Sequence, residues 1–298
     1  MLKIIIALLL FASNFVYADS QRKLDDGTIA PGVVVLSQNG QIANSVPLFQ
    51  QDLIGSAKNF YPDKTRGFVF GKRALIANTL VDLWEGPTAI YVFPTGPMQM
   101  QVTSTSAADA AGGTGIQKIH IHYLDGSYRI QTVDVIPNGV TPVLTSVSDI
   151  LRINGAHATE VGSGGVAAGN ISITAVGGAV TYSYITAGFN SARQAIYTVP
   201  DGYYGYINHW QASSGSTGNH FCQITVRATA HDGLSHPNVF LVQDEIGSQN
   251  GGSEVNFPIP ILIPPRTDVK VSAIADAPNA GVTALGAIMG WFEQIQLH

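Results

Sequence analysis

Two octapeptides, AIYVFPTG at 89–96 and AIYTVPDG at 195–202, stand 106 residues apart, and each opens the same series of landmarks. Each leads into a Met-rich or aromatic strand candidate, MQMQV (98–102) or YYGYINHW (203–210), and then a small-residue turn, 104–115 or 212–218. IQKIHIHYLDG (116–126) and FCQITVRATAHDG (221–233) follow, both ending in Asp-Gly. Later in each half a strand candidate opens on an aspartate, Asp149 or Asp268. Four landmarks in one order at comparable separations imply a duplicated unit. The expected division is 66–178 and 179–298, two units of about 110 residues, the scale of a β-sandwich.

The local pattern agrees. Runs of four to nine residues such as IQKIHIHYL (116–124), YRIQTVDVI (128–136) and NISITAV (170–176) alternate in polarity and are bounded by Gly, Pro, Asn or Asp. Asp125-Gly126 between two alternating runs predicts a β-hairpin. Ile116, Ile119 and Ile121 do not share one parity, which places a bulge near Gln117-Lys118. No helical pattern interrupts 66–298. The expected fold is all-β: two tandem β-sandwich, jelly-roll-like units preceded by a signal-like segment and an arm.

Ahead of them, residues 1–18 carry one Lys, an apolar run from Ile4 to Ala12, and Val16-Tyr17-Ala18 before Asp19. This is the pattern of a secretory signal cleaved after Ala18; the alternative is an uncleaved apolar arm packed on a neighbouring subunit. Residues 19–65 read as an arm with one strand candidate at 32–38 and a short helix candidate at 51–60. The lone Cys222 excludes an intrachain disulfide.

Charge narrows the function classes. Only 12% of the 298 residues are charged, against roughly 25% in ordinary domains, while 45% are hydrophobic and the net charge is −5. With no basic stripe, nucleic acid is not an expected partner. No later run is long enough to span a membrane once the signal is removed.

Catalytic patterns are absent: no G-x-S-x-G elbow, no His-Glu-x-x-His and no paired Cys-x-x-Cys. GSGG at 162–165 reads as a loop. No enzyme activity and no cofactor are expected. His120 and His122 share a strand face and are the weak metal candidates, more simply read as hydrogen-bonded surface side chains. His209, His220, His231 and His236 read as surface residues. Asp232 and Glu245 have no spacing that pairs them, and Asp149 and Asp268 read as turn-forming side chains. Tyr204, Tyr206 and, in a regular strand, Trp210 share a face, with Tyr203 opposite. Such rings form a core, a subunit interface or a glycan-stacking surface.

NTLVDLWEGPTAIYVFP (78–94), GTGIQKIHIHYLDGSYRIQTVDVIPNGVTPV (113–143), SDILRINGAHATEVGSGGVAAGNISI (148–173) and QAIYTVPDGYYGYI (194–207) resemble a family of β-rich structural proteins of tailed phages and other aquatic viruses. The resemblance implies a virion component: a capsid-surface, decoration, spike or fibre protein, one version being a double jelly-roll capsid protein. It brings no catalytic residues. The signal-like segment departs from it, because phage structural proteins assemble in the cytoplasm. The leading expectation is a non-enzymatic protein that self-associates, as a trimer, on a virion or in an extracellular assembly, with other virion proteins as further partners. The alternative is an exported carbohydrate-binding module using the Tyr203 to Trp210 surface.

Overall fold

The computed structural model describes residues 16–19, 22–23, 29–30, 33–36, 64–230, 239–278 and 280–295. The chain divides into two compact units, 1–60 and 61–298. In the first, β1 (Val16–Asp19) pairs with β4 (Val33–Leu36) and β2 (Arg22–Lys23) with β3 (Ile29–Ala30), all antiparallel and in one common register. The strand expected at 32–38 is therefore present as β4. The expected signal run and the helix at 51–60 lie outside the described residues.

In the second unit every element is a strand, and no helix occurs among the described residues. One sandwich is built from β5 (Lys64–Ile76), β6 (Val81–Asp82), β14 (Ile196–Thr198), β15 (Tyr203–Gly215), β16 (Cys222–Ala230), β17 (Leu241–Ser248), β18 (Gly251–Ile263), β19 (Thr267–Ala275) and β20 (Val282–Gln294). Its sheets run β18-β15-β20-β5 and β14-β19-β16-β17, with β6 also on β19.

β6 and β14 lie end to end along β19. Val81 and Asp82 pair with Ala273 and Ser272, and Ile196 to Thr198 pair with Lys270 to Asp268. Between them Leu83 donates its N–H to the Val271 carbonyl, Val271 to the Ala195 carbonyl, and Ala195 to the Leu83 carbonyl. The two pieces are one interrupted strand. Counted so, the eight strands run first-eighth-third-sixth and second-seventh-fourth-fifth, the jelly-roll order of two Greek keys.

The interruption carries a second sandwich. Its strands are β7 (Met100–Ser104), β8 (Ile116–Leu124), β9 (Ile130–Val135), β10 (Val143–Leu144), β11 (Arg152–Val161), β12 (Ile171–Ala175) and β13 (Thr181–Ile185). The sheets run β10-β7-β12-β13 and β11-β8-β9. Setting β7 to β12 against β15 to β20 in order gives the same neighbours in both sandwiches. The place of β5, beside β20, is taken by β13 beside β12. The place of the interrupted strand is taken by 190–192, where Ser191 bridges to His157 and Ala192 bonds to Ala156. The two strands that open one sandwich close the other, so the inserted sandwich is a circular permutant of its host.

The sequence landmarks fall on equivalent strands: β7 with β15, β8 with β16, β11 with β19. The octapeptides do not correspond, since 195–202 contains β14 whereas 89–96 holds no strand. Nor do the aspartates, since Asp149 precedes β11 and Asp268 lies within β19. The second Asp-Gly pair lies outside the described residues. The 178/179 division falls in the turn between β12 and β13, and β5 and β6 belong to the host sandwich.

Each sandwich has its own core. Ile119, Ile121, Ile171 and Ile173 anchor the inserted one; Trp210, Ile224, Val271 and Ile288 anchor the host. The Asp125-Gly126 hairpin is present, its loop held by Ser127 and Arg129 N–H groups donating to Asp125 Oδ1 at 2.8 and 3.0 Å. The expected bulge is present too: the β8–β11 register skips Gln117. That slip turns Ile116 inward along with Ile119 and Ile121.

Candidate functional site

The seam between the sandwiches is built where the chain leaves and re-enters the interrupted strand. Arg152 opens β11 of the inserted sandwich, and Asp268 lies in β19 of the host. Arg152 Nε and Nη2 donate to the two carboxylate oxygens of Asp268 at 2.9 and 3.1 Å, and both side chains are essentially fully buried. Arg152 Nη1 donates to the carbonyls of Pro94 and Leu151, and the guanidinium lies over the Phe93 and Tyr128 rings. Asp268 also accepts from Thr198 Oγ1. The expectation that Asp268 binds its own turn is thus corrected: its position within β19 faces it toward the other sandwich. Asp149, by contrast, is exposed and accepts from Tyr123 Oη at 3.1 Å.

A second buried carboxylate, Asp82, accepts from Lys270 Nζ at 2.8 Å, Ser272 Oγ at 2.7 Å and the Tyr91 N–H at 2.8 Å. Burial lowers the Lys270 pKa, and the Asp82 charge opposes that shift. Tyr91 Oη donates to the Tyr182 carbonyl, and Arg193 forms a bidentate pair with Glu85. These contacts pair the buried charges at the seam with one another. They weld the seam.

The aromatic strand β15 does not place its rings as a regular strand would. Its register with both neighbours slips between Ile207 and His209, so Asn208 is an extra residue and parity reverses beyond it. Tyr204 and Tyr206 face outward, whereas Trp210 points inward, is fully buried, and donates Nε1–H to Asp244 at 2.7 Å. The shared face expected for Tyr204, Tyr206 and Trp210 is therefore corrected, because the expectation required an unbroken strand. Tyr203 packs against the core, and Tyr206 stacks on Trp291 at 5.0 Å. Tyr204 remains the one exposed ring of the four.

The outer face of sheet β18-β15-β20-β5 carries large apolar side chains among polar ones such as His209, Gln211 and Glu254. Leu262, Tyr206 and Trp291 are consecutive cross-strand neighbours, and Met289 pairs with Phe68 in the next row. Phe70 and Leu285 continue the face and line a shallow concavity. Phe68 and Leu262 are 52% and 51% exposed. The edge strand β18 also carries Ile259 between Pro258 and Pro260, 85% exposed, where the pairing with β15 lapses.

His120 and His122 lie on the outer face of sheet β11-β8-β9, as expected, but the structure adds two partners. His157 is the direct cross-strand neighbour of His120, and its ring centroid lies 5.4 Å from each of the other two. Asp134 Oδ1 lies 2.6 Å from His120 Nδ1, and Lys118 Nζ lies 3.1 Å from the other oxygen. Hydrogen bonds from His120 and then Lys118 hold the Asp134 pKa below its usual value. Partial burial, then the neighbouring imidazoles, lowers the pKa of both His122 and His157. Only β8–β11 register could have exposed this cluster in the sequence, since 35 residues separate His122 from His157.

His209 and His220 sit at the surface on Asn256 and Asp276, while His231, Asp232 and His236 lie outside the described residues. Glu245 is exposed, and 162–165 is a loop.

No family model matches the chain, and no curated protein matches it. Weak likenesses among solved structures include the infectious bursal disease virus VP2 subviral particle, at 9% identity, TM-score 0.21, over 82% of this chain and 78% of that one. The native virion of Kashmir bee virus at acidic pH matches at 8% identity and TM-score 0.20 over 32% of this chain. The matched part spans half of that virion chain. The mosquito-larvicidal Cry4Aa toxin from Bacillus thuringiensis matches at 9% identity, TM-score 0.20, over 74% of this chain and 59% of that one. The weak neighbours are thus chiefly viral capsid proteins, at scores too low to define a shared fold.

Proposed function

We propose that this chain is a non-enzymatic structural protein that assembles with copies of itself, as a trimer, on a virion surface. One observation carries the reading: the outer sheet face leaves the large apolar side chains Phe68 and Leu262 half exposed, with Phe70, Tyr206 and Leu285 partly exposed beside them. Such a face marks an interaction surface. A chain with half the usual charge has little else to keep it dispersed. A second copy is the partner that the low overall charge favours. The resemblance of 113–143 and 148–173 to virion structural proteins supports the same reading.

Light scattering after size exclusion tests it on the full chain at micromolar concentration. A discrete trimer that Phe68→Asp with Leu262→Asp converts to folded monomer supports the proposal. A wild-type chain that runs as a stable monomer overturns it.

A further inference from the structure

We propose that His120, His122 and His157 form a binding site for a divalent transition-metal ion of the zinc class on the inserted sandwich. The site draws on two strands: His120 and His122 project from one face of β8, and His157 meets them from β11. The ring centroids stand 4.7, 5.4 and 5.4 Å apart. With metal–nitrogen bonds of about 2.0–2.1 Å, ring centres lie about 3 Å from an ion, and tetrahedral angles separate them by about 5 Å. The centroid spacing matches a three-histidine site, while the rings of His122 and His157, stacked at 23°, must turn to aim at one ion.

A second observation points the same way. A metal-binding histidine characteristically gives its other ring nitrogen to a carboxylate, which sets its tautomer and aim. Asp134, directly across from His120 on β9, engages Nδ1 and so leaves Nε2 as the ligand atom. Lys118 bonds the remaining Asp134 oxygen, which keeps that carboxylate a buttress. Lys118 also lies 3.6 Å from Glu160, so its own charge is balanced. Opposite His122 stands Gly155, where even a Cβ would come no nearer to the ring than 4.0 Å. Among the described residues no group of three or more His, Cys, Asp or Glu side chains is arranged, as it stands, to hold a metal ion. Binding therefore turns the rings about their side-chain bonds, a motion open to partly exposed imidazoles on a sheet face. Three protein nitrogens leave the fourth tetrahedral position to water.

The test titrates Zn²⁺ alone into the chelator-stripped full chain by calorimetry near neutral pH, with Co²⁺ absorption as the reporter of tetrahedral nitrogen ligands. Saturation at one ion per chain is expected, with a tetrahedral cobalt spectrum. His157→Ala should abolish both while leaving the far-ultraviolet circular dichroism unchanged. Asp134→Asn should weaken binding by about 10–100-fold, the usual effect of removing such a buttress. Absence of saturable binding overturns the proposal. So does a His157→Ala protein that binds as the wild type does, since the ion would then sit on other histidines.

Discussion

Arg152 and Asp268, 116 residues apart in the chain, form a bidentate ion pair from which water is excluded, and they belong to different sandwiches. Removing one partner of such a pair strands the other charge in the interior, at about 3–5 kcal/mol. Replacing both with apolar residues of similar size is far cheaper. Asp268→Leu should therefore lower the urea midpoint sharply, and Arg152→Met combined with Asp268→Leu should recover much of the loss. If the double variant is as unstable as the sum of the singles, the pair is not coupled as the geometry requires.

Asp109 plays a comparable part inside the inserted sandwich. Fully buried in the small-residue turn 104–115, it accepts from Ser104 Oγ at 2.6 Å and from the N–H groups of Ile116, Ala168 and Gly169 at 2.8–2.9 Å. Asp109→Ala leaves three backbone donors unsatisfied, each worth about 1–3 kcal/mol. A loss of about 3 kcal/mol or more is expected in chemical denaturation, with Asp109→Asn recovering part of it.

What was legible in the sequence was local. Alternation at 116–124, the Asp125-Gly126 turn and the parity break at Gln117 each depend on neighbouring residues, and each has its counterpart in the fold. The duplication was legible because β7, β8 and β11 kept the order of β15, β16 and β19. The permutation was not, because it resides in which strand closes each sheet edge, and β13 beside β12 leaves no mark on residue type. Trp210 was misplaced for a related reason: a single extra residue, Asn208, reverses inside and outside for everything beyond it. His157 was invisible as a partner of His120 until β8 and β11 were in register.

Gly71 marks a tight backbone approach in the host sandwich. A Cβ there would lie 2.1 Å from the Leu83 carbonyl oxygen and 2.3 Å from the Ala195 nitrogen. Those are the residues at which the chain leaves and re-enters the interrupted strand, so neither backbone can yield without breaking the hydrogen bonds to Val271. Gly71→Ala should cost about 3 kcal/mol, the upper end for overpacking. Gly96→Ala, where a Cβ meets nothing within 4 Å, should leave the thermal midpoint nearly unchanged and serves as the control.

Cys222 begins β16 in the middle of the host core and is completely buried. Burial, with a smaller contribution from the Asp276 charge, pushes its thiol from 9.0 up to about 11. A pKa raised in the folded state contributes stability that is fully present below pH 9 and is lost as pH rises through 11, because the unfolded chain ionises first. Two units correspond to about 2–3 kcal/mol at the alkaline limit. Tyr91, which is buried, and Tyr197 are also pushed upward by desolvation, so the wild-type slope above pH 10 is a composite. Cys222→Ala separates the parts: it should be less stable at neutral pH through lost packing, yet lose less on going from pH 8.5 to pH 11, values set by that 9.0-to-11 shift. Parallel stability curves for the two proteins across that range would show that the thiol ionises as easily in the folded chain as in the unfolded one.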